Sequence, residues 1–82
     1  MRNVKSAYLT VQKMVEDTIF KITNCFETED NFFFVLYLKD GSGTNLPPIQ
    51  ISKEENTEPD FYKGNFFLDN IESQEIPLES IV

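Results

Sequence analysis

The predicted class is mainly β (β-rich α+β): a small antiparallel barrel or roll of about four to six short strands, in one domain over residues 1–82 behind an N-terminal segment with helical character. Three observations predict it. Apolar and polar residues alternate in two runs between Thr18 and Leu38, separated by five polar residues. Turn-forming residues then recur at intervals of about ten positions, the spacing of short strands. Finally, 82 residues with eight Phe and three Tyr hold enough apolar surface for one core, but too little for a deep pocket beside it.

The first element is the most ambiguous. Val4, Ala7, Tyr8, Val11, Met14 and Val15 fall at the spacing of one helical face, Asn3 suits an N-cap, and only Leu9 is out of register. Ala7, Leu9 and Val11 also alternate as a strand would. Six of seven apolar residues favour the helix.

In TIFKITNCF, Phe20, Ile22 and Phe26 share one face and Lys21 and Thr23 the other, with Cys25 on the second face. The five residues ETEDN then suit a short hairpin turn into NFFFVLYL. That second strand is apolar on both sides: Phe32, Phe34, Leu36 and Leu38 on one, Phe33, Val35 and Tyr37 on the other. The first set belongs to the core. The second needs cover from the N-terminal helix, another sheet or a second molecule, because a bare apolar face of that size marks an interface.

KDGSGTN is a turn with two glycines, and IQIS after Pro47-Pro48 reads as a short edge strand. KEENTEPD contains no apolar residue apart from its proline and is expected to be a mobile surface loop. NFFLDN places Phe66 and Leu68 on one strand face and Phe67 on the other, and EIPLESIV reads as a terminal edge strand. The ending NFFLDNIESQEIPLESIV, with its I-P-L-x-x-I pattern, is similar to the closing strands of Sm-like and SH3-like barrels. The resemblance implies a closed barrel, SH3-like in size. It carries no functional residue over to this chain.

Composition excludes several chemistries. A lone Cys25 cannot form an intramolecular disulfide, and without His there is neither a Cys/His zinc site nor a base to activate the thiol. The carboxylates lie in polar runs, where nothing apolar raises a pKa for acid–base work. Neither acidic loop has the glycine and carboxylate spacing of a calcium loop. No metal or other cofactor and no enzymatic activity are expected. With no apolar run of signal-peptide or membrane-span length, the expected location is cytoplasmic, away from membranes.

Charge narrows the partner. The first 26 residues hold four basic and two acidic side chains, the remaining 56 hold three and twelve, and nothing basic follows Lys63. Such a chain repels polyanions, so direct nucleic-acid binding is not expected and a basic protein surface is. The expected function is therefore a non-enzymatic protein-binding module that occludes or tethers its partner, as inhibitors, immunity proteins and phage anti-defence proteins do. Phe33, Val35 and Tyr37 would make the apolar contact, rimmed by Glu54, Glu55, Glu58 and Asp60 for steering. The alternative is a structural subunit forming a homodimer through the aromatic face and an edge strand. DNA mimicry by carboxylates at phosphate spacing is a subordinate reading.

Overall fold

The computed structural model describes residues 1–65, 69 and 71–82. Its elements are a helix α1 (Val4–Val15), five strands β1 (Phe20–Glu27), β2 (Asn31–Leu38), β3 (Ile49–Ser52), β4 (Asp60–Phe61) and β5 (Gln74–Ile76), and a 3-10 turn at Leu78–Ser80. All strands pair antiparallel in one sheet of order β4-β3-β2-β1-β5. The sheet is open rather than closed into the barrel that the resemblance implied, and a mainly β, roll-like fold stands.

The helix prevails over residues 4–15 because both its ends are satisfied locally. Asn3 Oδ1 accepts from the Ser6 amide at 2.8 Å, which meets one of the orphan donors of the first turn. At the other end Lys39 Nζ donates to the Glu16 carbonyl at 2.9 Å and the Thr18 hydroxyl to the Val15 carbonyl at 2.6 Å. Ala7, Val11 and Val15 are buried, while Leu9, the residue out of helical register, is exposed.

Under this stripe lies the sheet face of Phe32, Phe34 and Leu36, joined by Ile22, Cys25, Ile49, Ile51 and, from the C-terminal turn, Ile81. Tyr8 reaches Phe34 with ring centroids 6.3 Å apart. One row runs across all five strands on this side: Ile76, Cys25, Phe34, Ile49 and Phe61.

Cys25 occupies that row, and Phe26 the opposite face, because the register of β1 slips between Ile22 and Asn24. A bulge inserts one residue and inverts the alternation beyond it. The expectation that Phe26 shares a face with Phe20 and Ile22 therefore fails at this point, although each half of the strand alternates as the residues suggest.

Three other expectations need correction. β3 is not at an edge; the two-residue β4 pairs with Ile49 and Gln50. EIPLESIV is not one strand: pairing with β1 ends at Ile76, and a 3-10 turn after Pro77 then lowers Ile81 into the core. The loop after β3 is shorter than expected, since Asp60 opens β4, and the Arg2 guanidinium donates to its carbonyls, those of Ser52, Glu55 and Thr57, at 2.8, 3.0 and 3.1 Å. The strand expected at NFFLDN falls on Phe66, Phe67, Leu68 and Asn70, which lie outside the described residues.

Candidate interaction surface

The expected site divides between distant parts of the molecule. On the sheet face away from α1, register places Glu75, Phe26, Phe33, Gln50 and Asp60 in one row across the five strands. Phe33 is only 2% exposed, packed edge to face against Tyr62 at 5.5 Å. It supports this face and offers little area to a visitor. Val35 is half-buried, and Tyr37, opposite Lys21, is exposed. The helix covers the other face of the sheet, so cover on this side fades from Phe33 towards Tyr37.

Of the four expected rim acids, only Asp60 shares that row, and Lys63 approaches its carboxylate at 3.8 Å. Glu58 lies beside the helix, lining a shallow hollow with Thr10, Lys13, Met14 and Pro59. Glu54 and Glu55 stand at the end of the sheet where β1 turns into β2. The aromatic contact and the acidic rim therefore do not form one surface.

What the fold does assemble is a carboxylate-rich end. Thr28–Asp30 closes the β1–β2 hairpin, with the Thr28 hydroxyl accepting from the Asn31 amide at 3.0 Å. The next loop is bonded directly to it, Lys53 N donating to the Asp30 carbonyl at 2.9 Å, and Arg2 N donates in turn to the Lys53 carbonyl at 2.8 Å. These three segments carry Glu27, Glu29, Asp30, Glu54 and Glu55 on a braced backbone.

The local cations are already engaged. Arg2 is committed to its three carbonyls. Lys53, with a side chain only 15% exposed, pairs with Glu27 at 2.8 Å and lies 5.2 Å from the centre of the Phe32 ring. Glu55 accepts from the N-terminal amine at 2.7 Å, and that bond holds its carboxyl below the usual carboxylate range. Among the described residues, Glu29, Asp30 and Glu54 make no ion pair.

Glu29 and Asp30 are the members that the expected contact set left out. Their signal was the polar ETEDN turn, and what the sequence did not show was that β3 would bring Glu54 alongside it.

Chemistry beyond charge is sparse. Cys25 is fully buried, and burial first, then the Glu27 carboxylate, push its thiol up to about 12. Among the described residues no group of three His, Cys, Asp or Glu side chains could hold a metal ion, and no helix is long and apolar enough to cross a membrane. No protein-family model matches the chain, and neither does any curated protein or solved structure.

Proposed function

We propose that this protein is a non-enzymatic binding module whose carboxylate-rich end docks on a basic protein surface, occluding or tethering it in the cytoplasm. One observation carries the reading: among the described residues, Glu29, Asp30 and Glu54 make no ion pair, and they sit on loops that are hydrogen-bonded to one another. Charges held on a braced backbone lose less conformational freedom on docking than charges on a slack loop, so more of their attraction survives as affinity. The net charge of −7 adds long-range steering of a cationic partner and repels nucleic acid and anionic lipid.

The test separates a site from mere net charge. Glu29→Lys/Asp30→Lys/Glu54→Lys and Glu16→Lys/Glu58→Lys/Glu79→Lys change the net charge equally, but only the first set lies at the carboxylate-rich end. Affinity capture from host lysate at low salt supplies the ligand, and calorimetry with the purified ligand reads the two variants. Loss of binding in the first, with a lesser effect in the second, supports the reading. Equal losses reduce it to non-specific charge.

A further inference from the structure

The loop that carries Glu54 folds around Arg2. The guanidinium donates to the carbonyls of Ser52, Glu55 and Thr57, and the Arg2 amide donates to the carbonyl of Lys53. The carbonyl between them, that of Glu54, accepts from the Thr57 hydroxyl at 2.8 Å, and the Glu54 amide donates to the Ser52 hydroxyl at 3.0 Å. Both residues that fix the Glu54 backbone are therefore residues whose own carbonyls Arg2 holds. Arg2 is placed in turn by the helix, because the next residue, Asn3, caps α1 at the Ser6 amide and accepts from the Ala7 amide at its carbonyl. Glu29 and Asp30 are held differently. Across their turn the Thr28 amide donates to the Asn31 carbonyl at 2.9 Å and the Asn31 amide to the Thr28 hydroxyl at 3.0 Å.

We propose that Arg2 is the positioning residue of the carboxylate-rich end: a cation that fixes Glu54 for docking and so strengthens the binding of a basic surface. This rests on the binding reading above and adds to it a residue of the opposite charge. Coulomb attraction alone has the reverse sign. Arg2→Ala takes the net charge from −7 to −8 and removes a cation from beside Glu54 and Glu55, so a basic ligand would bind more tightly. Positioning makes the same variant bind more weakly, because a loop released from the guanidinium must be ordered again on docking. Arg2→Lys separates the two effects further. It keeps the charge but loses the planar fork of donors that spans three carbonyls.

The probe is an alanine-based helical peptide with a lysine at every fourth position, which presents one rigid basic face. Fluorescence anisotropy at low salt reads its affinity for wild type, Arg2→Ala, Arg2→Lys and Glu29→Lys/Asp30→Lys/Glu54→Lys, with circular dichroism confirming that each variant is folded. Wild type is expected to bind, and both Arg2 variants to bind at least about threefold more weakly. Amide exchange in the same two variants is expected to accelerate across 53–57 and to stay unchanged at Thr28 and Asn31. Arg2→Ala binding as tightly as wild type or more tightly, or Arg2→Lys restoring wild-type affinity, overturns the proposal. Binding lost in the triple reversal but kept in the Arg2 variants overturns this proposal alone, whereas binding that survives the triple reversal overturns the binding reading and this proposal with it.

Discussion

Cys25 sits at the centre of the helix-facing row, and its environment makes a prediction about pH. Its thiol titrates near 9.0 when unperturbed and about 12 in the fold. Below pH 9 both states keep the proton and nothing is gained or lost. Above it the unfolded chain releases a proton that the native state retains, so stability falls with rising pH by about 1.4 kcal/mol per unit until the native thiol also titrates. Urea unfolding at pH 8 and 10.5 should show this extra slope in wild type and its loss in Cys25→Ala; the same pH dependence in both would contradict it. Gly64 makes a second prediction at this scale. A Cβ there would strike the Asp69 carboxylate and come within 2.8 Å of the Tyr62 hydroxyl. The carboxylate cannot easily yield, because it accepts from the Tyr62 hydroxyl at 2.6 Å and the Asn65 amide at 3.0 Å. Gly64→Ala should therefore displace the Asp69 carboxylate from these two exposed hydrogen bonds and lower stability by about 0.5–1 kcal/mol, read as a small fall in the denaturation midpoint.

Helix and sheet depend on each other through few residues. Removing the cap with Asn3→Ala should cost about 1 kcal/mol, and Phe34→Ala, which empties the position shared by Tyr8, Cys25 and Ile49, about 3–5 kcal/mol. Arg2→Ala leaves the core untouched but frees three carbonyls, so amide exchange across 53–57 should accelerate while global stability changes little. The sequence shows unequal parts of this architecture. The helix was legible because its face repeats at 3.6 residues and Asn3 stands at the right position. The β1–β2 hairpin was legible from its alternation and its polar turn. The bulge in β1 was not, since Thr23 and Asn24 alternate acceptably either way and only the pairing with Val35 shows which residue is extra. The 3-10 turn was hidden similarly: Ile76 and Leu78 look like strand alternation, but pairing ends at Ile76 and the turn begins at Leu78. The fastening of the acidic loop depends on Arg2, about fifty positions away, a separation that no local pattern records.

For the molecule as a whole, one end is rich in carboxylates, and function is proposed to follow that placement. The expected site joined Phe33, Val35 and Tyr37 to four acids on the strength of composition, yet the sheet puts the aromatics on one face and Glu54 and Glu55 at its end. Charge asymmetry along the chain was visible in the sequence; that Glu54 and Glu55 stand beside Glu27, Glu29 and Asp30 required the order β4-β3-β2-β1-β5, which sets the loop after β3 against the β1–β2 turn. A ligand bound there should weaken steeply as salt is raised from 50 to 300 mM, because exposed charges are screened over about a Debye length. The central claim is that Glu29, Asp30 and Glu54 act as a site and not as part of a diffuse charge. Titration calorimetry of the captured ligand against the two triple reversals, which share one net charge, tests it most directly. The account predicts that Glu29→Lys/Asp30→Lys/Glu54→Lys abolishes binding and that Glu16→Lys/Glu58→Lys/Glu79→Lys retains it; equal affinity in the two variants would contradict it.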